Sequence, residues 1–175
     1  MRRSKCTPRA LEDVIVRVDA EDSEKLVWDQ RVVVLREKEG LRRLPIWMGA
    51  GEGNALALRL HEATTPRPVT ADLMAELVRV LGGTVERVAL TKLEAKTFYA
   101  EVTVDGQTVD ARPSDAINLA VRTGAPVLVA STVLNEAGIE TNAAEVDAPE
   151  SADVPPGEWR SLTKDLLATL YSPPR

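Results

Sequence analysis

In TFYAEVTVDGQTVDARPSDAINLAVRTGAP, residues Thr97–Pro126, two strands, a two-residue turn and a helix follow one another without a break. Asp105-Gly106 suits a type I′ turn, because both of its central positions need positive φ. That turn sets the register of strands 97–104 and 107–112: Glu101 faces Asp110, Val102 faces Val109 and Tyr99 faces Arg112. Side chains alternate along a strand, so Phe98, Ala100, Val102, Val104, Val109 and Ala111 share an apolar face, and Tyr99, Glu101, Thr103, Thr108, Asp110 and Arg112 a polar one. Pro113 holds Arg112 extended, Ser114 is suited to cap a helix over 115–123, and Gly124 ends it with Pro126 close behind.

Upstream, residues 12–18, 31–36 and 41–48 are short and rich in apolar or β-branched side chains, as strands are. Pro45 marks the third as an edge strand or a bulge. Leu56, Leu60 and Ala63 place a helix over 51–63, and Pro66-Arg67-Pro68 forces an extended connector. A second helix starts at Thr70 as N-cap and ends at Gly82-Gly83, with Leu73, Leu77 and Leu81 as its buried stripe. Val69 and Met74 make a hydrophobic staple, and Asp72 in the first turn meets the positive end of the helix dipole. Downstream, 127–130 reads as a strand and 132–137 as a short helix. The predicted fold is α/β of the α+β kind: a mixed, largely antiparallel sheet with helices packed on it, in one compact domain with a C-terminal extension.

Of the 175 residues 44% are hydrophobic, but only three Trp, two Tyr and one Phe are aromatic, so the core is built from Leu, Val, Ala and Ile. Lys and Arg number 22 against 27 Asp and Glu, a net charge of −5 that argues against a general nucleic-acid coat. The charge is uneven, with −4 in residues 140–175 and −1 in the rest. One cysteine, Cys6, excludes an intramolecular disulfide and a thiolate zinc cluster within the chain, and one histidine, His61, excludes a multi-histidine metal site. The basic N-terminus is followed by no apolar run of signal-peptide length, and nowhere are there about 18 consecutive apolar residues, so the expectation is a cytoplasmic protein with no membrane span. The organisation reads as a basic arm (1–9), a domain (10–138), an acidic Pro-containing linker (139–160) and an amphipathic helix with tail (161–175). Leu162, Leu166, Leu167 and Leu170 of the last segment suit docking on its own domain, on a sister subunit or on a protein partner.

No Walker A loop, nucleophile elbow or His-Glu-x-x-His occurs. Gly49-Ala50-Gly51-Glu52-Gly53 lacks the Lys-Ser/Thr of a phosphate loop and reads as a tight turn. Glu101 opposite Asp110 is destabilising unless both are solvated or share a cation. Beside Arg112 that pair is either a site for a divalent metal and a phosphate or an exposed sheet surface. Arg59 and Glu62 read as a surface ion pair, and His61 as a helix-flank residue.

Four ordered motifs then carry a resemblance: Leu44-Pro45-Ile46-Trp47-Met48-Gly49 with Glu52; Pro66-Arg67-Pro68 with Thr70 and Asp72-Leu73; Thr97-Phe98-Tyr99-Ala100; and Asp110 with Arg112-Pro113-Ser114-Asp115-Ala116, continuing through Leu119-Ala120 to Thr123-Gly124-Ala125-Pro126. Over roughly 10–138 the chain resembles the bifunctional nuclease domain family. The resemblance implies an α/β domain that forms homo-oligomers and acts on DNA and RNA. Carried onto this sequence, it implies Glu52, Asp72, Asp115 and Arg112 as catalytic residues and Arg67 and Ser114 as substrate contacts, to which Arg59 and Tyr99 are added as further candidate contacts. Mg²⁺ or Mn²⁺ would be held by Glu52, Asp72 and Asp115, with Glu101 and Asp110 as the alternative pair. Relatives commonly have His between the Thr and Asp of the second motif, where this chain has Ala71. A non-catalytic homo-oligomeric regulatory or scaffolding protein, docking a partner through its C-terminal helix, is the rival reading.

Overall fold

The turn at Asp105-Gly106 has φ of 46° and 76°, both positive, as a type I′ hairpin requires. In the computed structural model, which describes residues 6–18, 26–37, 42–63, 65–140 and 158–161, it joins β5 (Thr97–Val104) to β6 (Gln107–Ala111). Glu101 faces Asp110 and Val102 faces Val109, as the turn chemistry predicts. The ladder ends at Ala100 opposite Ala111, so the expected Tyr99–Arg112 pair does not form. Tyr99 instead pairs on its other side with Lys92, whose ammonium lies 4.3 Å from the centre of its ring.

Lys92 belongs to β4 (Val85–Glu94), a strand the sequence reading does not anticipate. Its ladder is irregular between Val85 and Arg87 and between Leu90 and Lys92, and in the regular stretch between them Val88, Ala89 and Leu90 are all buried although they alternate between the two faces of the sheet. Beyond β4 come β7 (Val127–Ala130), β1 (Cys6–Val18), β2 (Leu26–Glu37), β3 (Arg42–Met48) and β8 (Ile139–Glu140), in the order β6-β5-β4-β7-β1-β2-β3-β8. A ninth strand, β9 (Glu158–Ser161), pairs with Ile15–Val18 of β1. Only β4 and β7 run parallel, so the sheet is mixed and largely antiparallel, as expected. Pro45 sits where β3 has β2 on one side only, because β8 reaches no further than Arg42 and Arg43. Residues 6–9 of the expected basic arm are part of β1, and both ends of the expected linker are short strands. Residues 1–5 and 141–157 lie outside the described residues, as does the expected helix over 161–170 apart from Ser161, which is the last residue of β9.

Four helices complete an α+β fold: α1 (Ala50–Leu60), α2 (Thr70–Val80), α3 (Pro113–Thr123) and α4 (Ser131–Ala137). Val33, Leu35, Leu44 and Ile46 of the sheet meet Leu56 of α1, Ile117 of α3 and Leu134 of α4 in one core with Val88 and Leu90. Each such side chain contributes on the order of 1.5–3 kcal/mol by leaving water.

Two helix expectations need correction. The Leu73, Leu77 and Leu81 stripe of α2 is not buried; these residues are 54%, 52% and 82% exposed. Ala71, Met74, Ala75 and Val78 face inward instead. Ala71, Ala75 and Val78 form a second stripe at helical spacing, and its small side chains let α2 approach α3 closely. The N-cap is Val69 rather than Thr70, and the Val69 N–H donates to Asp72 Oδ2 at 2.9 Å. This shift also takes Val69 and Met74 out of staple register. Likewise α3 starts at Pro113 with Arg112 as N-cap, so Ser114 is a buried first-turn residue and caps nothing with its side chain. Proline is favoured at a first helical position, and that moves the start upstream.

Candidate functional site

The chain leaves β6 at Ala111, passes Arg112 in extended conformation and enters α3 at Pro113. Arg112 therefore stands at the helix entrance, three residues before Asp115. Its Nε donates to Asp115 Oδ2 at 2.7 Å and its Nη2 to Oδ1 at 3.0 Å, a two-pronged grip that aligns the planar guanidinium with the carboxylate. Nη2 also donates to Glu52 Oε1 at 3.0 Å, from the first turn of α1. The Arg112 side chain is 67% exposed, against 31% for Glu52 and 35% for Asp115. Hydrogen bonding and charge from Asp115, then from Glu52, hold its pKa above the ordinary arginine value, so it stays cationic. Among the described residues Nη1 makes no hydrogen bond, which leaves two donors uncommitted.

Glu52 is carried by the first turn of α1, a helical turn where the sequence reading expects a tight one; none of Gly49, Gly51 and Gly53 has positive φ. A Cβ on Gly53 would lie 2.4 Å and 2.5 Å from Cβ and Cγ of Arg31, whose buried side chain donates to Asn54 Oδ1 at 2.8 Å. Only glycine lets α1 lie this close to β2.

A second polar group lies behind the first. Asn118 of α3, 2% exposed, donates from Nδ2 to the carbonyls of Glu52 and Ser114 at 3.0 and 2.9 Å. Its Oδ1 accepts from Arg122 Nη1 at 2.9 Å. The Arg122 side chain is 5% exposed; Nη2 donates to the Ala55 carbonyl at 3.0 Å and Nε to Asp72 Oδ1 at 2.5 Å. Asn118 and Arg122 thus tie α3 to the first turns of α1 and α2. Burial pushes the Asp72 carboxyl up, but the hydrogen bonds from Arg122 and the Val69 N–H and the charges of Arg122 and Arg59 outweigh it and hold the group below its usual value of 3.8. Two clefts of about 490 and 360 Å³ open here, and Arg59, Asp72 and Arg122 line both. No other titratable residue is common to the two.

The structure brings Glu52, Arg112 and Asp115 together and places Asp72 apart, on Arg122. Among the described residues no three His, Cys, Asp or Glu side chains are grouped to hold a metal, so Glu52, Asp72 and Asp115 are not a three-ligand set. The reason is packing: Asp72 serves the start of α2, while Glu52 and Asp115 serve those of α1 and α3. Arg67, the expected substrate contact, is exposed and lies outside the cluster's hydrogen bonds. Arg59 and Glu62 do not pair; α1 ends at Leu60 and Glu62 turns away with φ of 51°. Glu101 and Asp110 are exposed on the hairpin, and His61 is the C-cap of α1. Ser114 is buried beneath the cluster, and Tyr99 lies against Lys92. Asn118 and Arg122 were missed by the sequence reading. Their signal is the spacing Ser114, Asn118, Arg122, a polar line at i, i+4, i+8 in a helix otherwise rich in Ala, Leu and Ile.

The bifunctional nuclease domain model matches residues 33–142, from the middle of β2 to just past β8. The chain belongs to the bifunctional nuclease domain family. Within that family it is similar to two proteins of Mycobacterium tuberculosis, "Uncharacterized protein MT1877" of strain CDC 1551 / Oshkosh and "Uncharacterized protein Rv1829" of strain ATCC 25618 / H37Rv. Each is 42% identical over 112 residues, which is 63% of this chain and 68% of the relative. The family match contains every member of both polar groups, from Glu52 to Arg122. No helix among the described residues is long and apolar enough to cross a membrane.

Proposed function

We propose that the chain is a nuclease that hydrolyses phosphodiester bonds of DNA, RNA or both at the Glu52–Arg112–Asp115 cluster. The observation that carries this is the Arg112 guanidinium, exposed yet oriented by carboxylates from two helix starts, with the donors of Nη1 uncommitted. A phosphate meeting Nη1 gains charge-assisted hydrogen bonds, which strengthen as negative charge builds on its oxygens in the transition state. Glu52 and Asp115 are fixed acceptors beside that position, and either can orient an attacking water and take its proton. Mg²⁺ is commonly held by one or two carboxylates together with substrate oxygens and water, and Glu52 with Asp115 fits that donor set. Bound there, Mg²⁺ or Mn²⁺ would polarise a phosphoryl oxygen and acidify a water. Arg59 and Arg67, exposed and making no side-chain hydrogen bond or salt bridge to a described residue, supply contacts for flanking phosphates.

The rival reading, a non-catalytic oligomeric scaffold, draws on Ala71 in place of histidine. Ala71 is 6% exposed on the inner side of α2, so its identity removes no base from the exposed cluster.

Incubation of the purified chain with end-labelled DNA and RNA oligonucleotides and Mg²⁺ or Mn²⁺ tests the proposal. Cleavage is expected, with Arg112→Ala and Asp115→Asn each lowering kcat/KM by about 100-fold or more. Arg59→Ala should raise KM by about 3- to 10-fold with little change in kcat. A wild-type chain that cleaves neither polymer with either metal, or full activity in Arg112→Ala, refutes it.

A further inference from the structure

The two clefts beside α2 are the feature that neither the core nor the Glu52–Arg112–Asp115 cluster accounts for. They meet at Arg59, Asp72 and Arg122, and each then opens between apolar walls: Val78 and Val85 line the larger, Leu58 and Pro68 the smaller. At about 490 and 360 Å³ both have the size of small-molecule sites.

Two guanidinium groups at this junction have donors to spare. Arg122, 5% exposed, sends Nε to Asp72, both donors of Nη1 to Asn118 and one donor of Nη2 to the Ala55 carbonyl. The second Nη2 donor meets no acceptor among the described residues, on a side chain that walls both clefts. A buried donor without an acceptor is unfavourable, and a ligand oxygen would satisfy it. At the same junction Arg59 is exposed and makes no side-chain hydrogen bond or salt bridge to a described residue. Asp72 is committed instead: its Oδ1 accepts from Arg122 and its Oδ2 from the Val69 N–H. Two guanidinium charges against one carboxylate leave a single positive charge there, and Glu76 and Arg79 offset each other as an ion pair in the larger cleft.

We infer that the junction binds a phosphodiester monoanion, with one of its two organic substituents in each cleft. Charge and shape agree on this class. A diester carries one negative charge, which matches the junction, whereas a terminal phosphate carries close to two near neutral pH. A carboxylate has a single substituent and fills one cleft at most. No aromatic side chain lines either cleft, so the substituents are held by apolar contact rather than by stacking. Arg112 and Arg122 bracket α3, so the junction lies about 15 Å along that helix from the cluster and is a separate site. In a nuclease the ligand is a non-scissile phosphate of a strand with an unpaired nucleoside on either side. The inference rests on the nuclease reading only for that source, since a free small diester has the same chemistry.

Calorimetric titration of the full chain with thymidylyl-thymidine, in EDTA and without metal, tests it. Saturable binding is expected, with thymidine 5′-monophosphate at least about 5-fold weaker and thymidine itself weaker still. Arg59→Ala should raise the Kd for thymidylyl-thymidine about 10-fold and leave the thermal melt in place, since this exposed side chain holds nothing in the free chain. Arg112→Ala should leave that Kd unchanged. Oligothymidylate that displaces the probe and depends on Arg59 in the same way marks the diester as part of a strand. Oligothymidylate binding indifferent to Arg59→Ala, beside a probe that depends on it, marks the ligand as a free small diester. No saturable binding of the probe up to about 5 mM overturns the inference. So does binding lost in Arg112→Ala but kept in Arg59→Ala, or a monophosphate that binds as tightly as the diester. Neither metal nor turnover enters this measurement, so a chain that cleaves nothing yet binds the probe through Arg59 refutes the nuclease reading and leaves this site standing.

Discussion

Arg122 is the side chain whose removal is expected to damage the fold most. Arg122→Met leaves Asp72, the Ala55 carbonyl and Asn118 without their shared donor, and breaking a pair on a 5%-exposed guanidinium should lower stability by about 3 kcal/mol. Urea denaturation reads this as a lower midpoint at unchanged slope. Asp72 gives a pH signature. Its folded carboxyl is held below 3.8, so at pH near and below about 4 the unfolded chain binds more protons than the folded one. The stability contributed by the pair is therefore present above that range and lost as pH falls through it. Asp72→Asn should be less stable near neutral pH and lose less between about pH 4 and 2, as thermal melts across that range will show. At this scale the residue types of Arg112 and Asp115 were legible, because their motif is local. The partner of Asp72 was not: it lies 50 residues away on another helix.

The β5–β6 hairpin offers the cleanest test of an element. Glu101 and Asp110 face each other, both exposed, and Glu101→Lys turns a repulsive cross-strand pair into an attractive one. The melting temperature should rise with a gain of about 0.2–1 kcal/mol, and the gain should shrink at high salt. This hairpin was readable because positive φ at two successive positions is a demand met by few residues. β4 was not, because burial of Val88, Ala89 and Leu90 in succession leaves no alternating pattern, and charged residues flank the run. In α2 two apolar stripes compete, and periodicity ranks the leucines first. The tertiary packing chose the alanine side, since a small-residue face permits the closer approach to α3.

Across the whole molecule, electrostatics sets how readily a polyanion approaches. The net charge of −5 lies mostly in residues 140–175, away from the arginines of the domain along the chain. Replacing Glu145, Asp147, Glu150 and Asp153 by their amides should tighten oligonucleotide binding about 3- to 10-fold at low ionic strength, with the difference fading toward about 0.5 M salt, as read by fluorescence anisotropy. The sequence by itself determined the α+β class, the hairpin register and the turn and helix ends at Asp105-Gly106, Gly82 and Gly124, because each rests on local backbone geometry or on a period of two or 3.6 residues. Its ordered motifs also determined the family. Only the tertiary structure decided that Arg112 joins Glu52 across 60 residues, that Arg122 holds Asp72, and which face of α2 stays exposed. Those outcomes depend on how closely whole helices and strands approach one another, a property of side-chain volumes summed over the core rather than of any one stretch of chain.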